Sequence, residues 1–234
     1  MKHTFEPDEN KHEIKIGRFY ADIQNDSGIF EIQTRSFNAL RKKLSFFLEN
    51  NIVTVIYPIP HQKWLVWIDN DFGQISKKRK SPKVGTVYQA FFELYKIKQL
   101  LVHPNLRLCL VFLDITEYRN LDGWSNDRKK GSSRYERIPE KVIDMMYINN
   151  PNEYSKLIPD DLPEEFTVKD FKIASKLNIH NAQTALNVLK YVGAVEQTGK
   201  KGNAFVYQEI KDIKKHNEIL SPSFNVKIME IKFK

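Results

Sequence analysis

The run from Gly17 to Asn51, GRFYADIQNDSGIFEIQTRSFNALRKKLSFFLENN, constrains the fold of this chain more than any other stretch. Phe19 to Gln24 and Ile29 to Gln33 alternate in character, as half-buried strands do, and Asn25-Asp26-Ser27-Gly28 between them is turn chemistry. Strand, tight turn, strand and helix therefore follow one another. Glu31 and Gln33 lie two apart on one strand and share a face, leaving Phe30 and Ile32 to point the other way into a core. Asp22 sits on the preceding strand. A loop with an even number of residues sets Asp22 opposite Glu31 or Gln33 on that same face, whereas an odd loop without a bulge sets it on the other. The register decides the chemistry.

Two carboxylates on adjacent strands form a hard oxygen site suited to Mg²⁺ or Mn²⁺. Such an ion neutralises charge developing on a phosphodiester and lowers the pKa of a bound water. With Asp22, the gap, Glu31-Ile32-Gln33 and the amphipathic helix after them, the chain resembles the PD-(D/E)XK (restriction-endonuclease-like) nuclease superfamily, whose core runs helix, three strands, helix, strand. The EIQTRSFNALRKKL block, followed by Tyr57-Pro58-Ile59-Pro60 and Lys63-Trp64, is similar to a bacterial branch with an EIQT motif. The resemblance implies an α/β fold with a mixed sheet flanked by helices. It also implies that Asp22 and Glu31 are the metal ligands, and that Asp22, Glu31 and Gln33 form the catalytic set. Gln33 stands where most members carry lysine, and an amide orients a water but supplies no charge. Lys15 or Lys42 is the expected source of that charge. The superfamily opens on a helix, and Met1–Phe5 is left as its remnant because the first strand, His12 to Ile16, starts so early. Glu13 on that strand reads as a solvated edge charge.

Further along, Ser36 reads as the N-cap of a helix that buries Phe37, Leu40, Leu44, Phe47 and Leu48 and ends at Asn50-Asn51, with Arg41, Lys42 and Lys43 on its solvated face. Ile52 to Ile59 is a strand buried on both faces and closed by Pro58 and Pro60; Lys63 to Asp69 is a second strand. Lys77 to Lys83 reads as a basic loop, with Lys78, Arg79 and Lys80 as polyanion contacts. A helix is expected over Gly85 to Val102, a buried strand over Leu106 to Ile115, a long loop over Arg119 to Arg137 and a helix over Pro139 to Ile148. These complete a domain over 1–148, and the proline-rich segment 149–165 links it to the next.

Residues 166–210 have their own grammar. Thr167 with Asp170 three residues on forms a near capping box, and Phe166 and Phe171 occupy the staple positions. A second helix from about Asn181 to Gly193 precedes two strands joined by a loop over Thr198 to Asn203. The pattern resembles a winged helix-turn-helix. That resemblance offers Gln183, Thr184, Asn187 and Lys190 to base edges and Lys200 and Lys201 to phosphates. The same module also serves as a plain protein-interaction unit. The basic tail 211–234 ends in strand-like residues Asn225 to Phe233, which could pair with a sheet edge or with a second subunit of a homodimer.

Charge agrees with an anionic partner. The chain carries +8 at pH 7, with a pI near 9.3. Its one cysteine, Cys109, lies in an apolar run, which excludes an internal disulfide and a cysteine-based zinc site. No signal peptide or membrane-length apolar run is found, so the expected location is cytoplasmic. The expected function is a metal-dependent DNA endonuclease acting on duplex DNA. The alternatives are a nuclease-fold DNA-binding regulator or accessory subunit without catalysis, and a protein-interaction module.

Overall fold

A computed structural model describes residues 1–69, 73–124 and 130–211. The chain divides into two compact units, Met1–Asn150 and Pro151–Lys234. The first unit holds a short helix α1 (Lys2–Phe5), then β1 (His12–Ile16), β2 (Phe19–Asn25), β3 (Gly28–Ile32), α2 (Phe37–Leu48) and β4 (Val53–Asp69). After these come β5 (Gln74–Ile75), β6 (Arg79–Val84), α3 (Phe91–Lys96), β7 (Leu106–Trp124) and β8 (Lys130–Ile148). The strands form one mixed sheet in the order β1-β2-β3-β4-β7-β8, with β5 and β6 also pairing β4. β3, β4 and β7 are mutually parallel, and the other pairs are antiparallel. The mixed α/β architecture flanked by helices is therefore present.

The parallel centre explains the apolar runs. Val53, Val55, Ile56 and Ile59 on β4 are buried beside Leu106 and Leu108 to Leu113 on β7, as strands covered on both faces require. Helix α2 buries the five residues that its spacing predicts. Ser36 does not cap it. Its backbone is left-handed and its side chain makes no capping bond; the Phe37 N–H donates instead to Glu93 Oε2 at 2.8 Å, placing a carboxylate from α3 at the positive end of α2.

Several expected elements differ. β4 runs through Pro58 and Pro60 as a single strand, because β3 pairs with it only as far as Ile56 and β6 only from Gln62. Both prolines fall where one side of β4 has no strand to donate to. The basic run 77–83, expected as a loop, contributes β6. The expected helix over Gly85 to Val102 is α3 between two 3-10 turns, Val87–Ala90 and Lys98–Leu100. Gly85 cannot begin a helix there, since its N–H donates to the His61 carbonyl and a Cβ would lie 2.0 Å from the Pro60 oxygen.

The expected loop 119–137 and helix 139–148 are instead the β7–β8 hairpin, apart from 125–129, which lie outside the described residues. Extra residues in β8 at Tyr135, Glu140 and Ile143 each have no partner in the pairing with β7. Two of these bulges are three residues apart, so the two-residue alternation is reset at nearly helical intervals. A periodic reading then sees a helix.

The second unit contains β9 (Glu165–Thr167), α4 (Val168–Ser175), α5 (Ile179–Tyr191), β10 (Val195–Lys201) and β11 (Ala204–Glu209), with a three-stranded sheet ordered β10-β11-β9. The Thr167 N–H donates to Asp170 Oδ2 at 2.8 Å, and Thr167 Oγ1 accepts from the Lys169 N–H at 3.2 Å. Phe166 and Phe171 are buried against each other with ring centroids 6.4 Å apart. Helix α5 begins two residues earlier than expected because Asn178 Oδ1 caps the Asn181 N–H at 2.8 Å. The strands of the hairpin continue through the expected six-residue loop to a turn at Gly202-Asn203. The segment 149–165, expected as a linker, holds a 3-10 helix at Pro151–Leu157 whose Tyr154 and Leu157 are buried. Asn225 to Phe233 lie outside the described residues.

Candidate functional site

The β2–β3 turn contains two residues, Asp26 and Ser27, between the paired Asn25 and Gly28. An even loop puts Asp22 across from Glu31 on one face. Gly28 is required at this corner, with φ +117 and a Cβ position only 2.4 Å from the Ile52 carbonyl oxygen.

The β2–β3 ladder ends at Ile23 opposite Phe30. Beyond that pair the two strands part, and side chains take over the backbone groups. Asp22 Oδ2 accepts the Ile32 N–H at 2.7 Å, and Glu31 Oε1 accepts the Asp22 N–H at 3.3 Å. β2 stays paired with β1, and β3 with β4. The hairpin thus opens into a fork with the two acids at its mouth.

Glu31 is 2% exposed, and its Oε2 receives the Lys43 ammonium of α2 at 2.6 Å. Burial pushes the Glu31 carboxyl up to about 7; Lys43 opposes that rise, and the Asp22 charge adds to it. Phe30 and Ile32 face a core as their spacing predicts, and the opposite face of β3 is covered as well, since Glu31 is buried there. Phe30 and Ile32 pack on Ile56, Cys109 and Val111 with Met1 and Phe5, while Glu31 pairs with α2.

Gln33 follows β3, where its N–H donates to the Ile56 carbonyl at 2.9 Å and its side-chain amide donates to the Arg35 carbonyl. The ammonium at the site comes from Lys43, in place of Lys15 or Lys42. Its position carries a readable signal: Lys43 is three residues after Leu40 and four before Phe47, on the flank of the apolar stripe, whereas Lys42 is on the opposite side of the helix.

The donor set suits a hard cation. Mg²⁺ binds through one or two carboxylates and keeps several waters, and Asp22 Oδ1 bonds no other described residue. Among the described residues, no group of three or more His, Cys, Asp and Glu is arranged to hold a metal. At the fork two carboxylates, Asp22 and Glu31, lie side by side where the pairing of β2 and β3 ends, with three of their four oxygens engaged by the Ile32 N–H, the Asp22 N–H and Lys43.

The basic candidates separate. Lys78 forms an ion pair with Glu140 and lies 5.2 Å over the Trp64 ring. Arg79 and Lys80, both exposed, pair through the backbone with Leu65 and Trp64 and so point to opposite faces. On α5, Gln183, Asn187 and Lys190 are exposed, while Thr184 is half-buried and donates from Oγ1 to the His180 carbonyl at 3.1 Å. Lys190 donates to Gln197 Oε1 at 3.0 Å. Lys200 lies 5.0 Å over the Phe205 ring, and its neighbour Lys201 acts on Asp170 by charge.

A family model described as a domain of unknown function, DUF8091, matches residues 1–149. The chain belongs to that family. The DUF8091 match coincides with the unit that holds the fork. A protein of Treponema pallidum (strain Nichols), described as uncharacterized, is 26% identical over 216 residues, covering 89% of this chain and 82% of its own length. The similarity therefore runs past the DUF8091 domain into the second unit. No solved structure matches the chain. No helix among the described residues is long and apolar enough to cross a membrane.

Proposed function

We propose that the chain is a metal-dependent endonuclease of the PD-(D/E)XK, restriction-endonuclease-like kind, acting on duplex DNA that a C-terminal winged helix positions. One observation carries the reading: where β2 and β3 part, Asp22 and Glu31 each accept a backbone N–H of the facing strand, with the Lys43 ammonium on Glu31. The order α1, β1, β2, β3, α2, β4 follows the core of that superfamily, and α4, α5, β10, β11 follows the helix-turn-helix and wing. Both orders support the reading.

Asp22 and Glu31 would hold Mg²⁺ or Mn²⁺, which when bound supplies Lewis-acid chemistry at a phosphodiester. Lys43 brings the positive charge that Gln33 lacks, and the Gln33 amide is suited to orienting a water. Gln183, Thr184, Asn187 and Lys190 would face base edges, and Lys200 and Lys201 phosphates.

A second reading has its own support. Glu31 is 2% exposed with both oxygens engaged, which favours a nuclease-fold DNA-binding regulator or accessory subunit without catalysis. Cleavage assays on supercoiled and linear duplex DNA, single-stranded DNA and RNA, with Mg²⁺ or Mn²⁺, separate the two. Activity lost in both Asp22→Ala and Glu31→Ala is the expected result. Salt-dependent duplex binding without cleavage selects the second reading, and cleavage surviving Asp22→Ala refutes the first.

A further inference from the structure

Glu117 lies on β7, 1% exposed, with four cations converging on it from three strands. Arg137 Nε of β8 reaches its Oε2 at 2.8 Å, and Arg119 Nη1 of β7 reaches Oε1 at 3.3 Å. Lys63 Nζ of β4 and Arg134 Nε of β8 each stand 3.5 Å from Oε2. A buried carboxylate needs compensation, but Arg137 alone provides the close charge-assisted bond. Even with Asp122, whose charge also reaches Arg119, positive charge remains in excess.

The surplus is visible in the groups themselves. Burial lowers the pKa of Lys63 and of Arg134, and for both of them neighbouring arginines add to that lowering. Arg119 Nε is buried and bonds no described residue. Yet the four cationic side chains keep between 26% and 49% of their surface exposed, so an anion can reach them from solvent.

The cluster extends into a row. Arg79, Leu65, Glu117 and Arg137 are directly paired across β6, β4, β7 and β8 and therefore share one face. At about 4.8 Å between neighbouring strands the row spans about 14 Å, comparable to the rise of about four nucleotides along the axis of a DNA duplex. The charge of Arg35, two residues beyond Gln33, acts on Arg134, and that of Arg137 acts on Tyr57. The cluster thus stands within electrostatic range of the strand end that follows the fork.

We propose that Lys63, Arg119, Arg134 and Arg137, held together by Glu117, form a binding site for the phosphate backbone of a nucleic-acid strand, with Arg79 continuing the track. Glu117 is a positioning residue: it neutralises one charge and fixes four flexible side chains; Arg119 directs its Nη2 to the Ser132 carbonyl at 3.0 Å and contributes mainly charge, while Lys63, Arg134 and Arg137 keep donors for phosphate oxygens. A track of this length on an open sheet surface fits a polymer better than a single small anion. The identity of the anion rests on the nucleic-acid reading above.

The test is binding of the full-length chain to a fluorescent DNA duplex, followed by anisotropy in EDTA at a series of salt concentrations, so that cleavage plays no part. Arg134→Gln should lower the slope of log K against log salt by about 1 and weaken binding about fivefold at 0.15 M salt, equally for unrelated sequences. Arg134→Lys should restore the slope. Should Arg134→Gln fail to fold, Lys63→Gln is expected to lower the slope in the same way. An unchanged slope and affinity in a folded variant would overturn the assignment while leaving the nucleic-acid reading intact. Absence of duplex binding by the wild type would sink both. A loss confined to phosphatidylserine vesicles, with DNA binding unaltered, would also overturn it.

Discussion

The Glu31 carboxyl ties the fork to the stability of the first unit, and the replacement Glu31→Gln isolates that link. In the folded protein the group is buried beside Asp22 and its pKa stands at about 7, against 4.5 when free. The folded state therefore holds a proton that the unfolded chain has released between those values, and stability falls as pH rises from 4.5 to 7. The difference corresponds to about 3 kcal/mol, present below the lower value and lost above the upper one. Glutamine keeps the shape and does not titrate. Its stability relative to wild type should improve by about 2.5 kcal/mol between pH 5 and pH 8, the part of the difference that this window spans, whatever its offset from losing the Lys43 ion pair.

Urea unfolding followed by tryptophan fluorescence reads this unit selectively, because Trp64, Trp67 and Trp124 all belong to it. Added Mg²⁺ should flatten the pH dependence of wild type and leave Glu31→Gln unaffected, since a cation favours the ionised carboxylate. A variant whose stability difference from wild type is the same at pH 5 and pH 8 would refute the argument from burial. A difference that changes in the opposite sense would refute it as well.

Lys43→Met leaves Glu31 buried without its ammonium, so urea unfolding should show a loss of about 3 kcal/mol at pH 8 and a much smaller one at pH 5, where the carboxyl is protonated. Thr167→Ala removes the hydroxyl that caps the Lys169 N–H; a loss of about 1 kcal/mol is expected, read by circular dichroism of the full chain during unfolding.

How much of this was legible follows from how local each signal is. Helix α2 was readable because Phe37, Leu40, Leu44, Phe47 and Leu48 repeat within a dozen residues. The hairpin was readable up to its register, which the two-residue loop then fixed. Glu93, which meets the start of α2 from 56 residues away, could not be read from propensity at Ser36. β8 was misread because its bulges break the alternation on which strand recognition depends. The prolines of β4 were misread because their tolerance depends on where β3 stops and β6 begins. Lys43 could have been found by projecting α2 onto a wheel, since it borders the buried stripe. The Glu117 cluster left no local signature, its cations being contributed by three strands.

β8 forms one border of the sheet, and among the described residues nothing pairs with its outer side. Tyr135, Ile138, Val142, Ile143 and Tyr147 along it are exposed. A border of nineteen residues with that composition would ordinarily recruit stray chains into intermolecular β-structure. The inserted residues Tyr135, Glu140 and Ile143 break the even spacing of donors and acceptors that such recruitment copies. The irregularities that hide this strand from periodic analysis thus also make the border a poorer template for a second chain to copy.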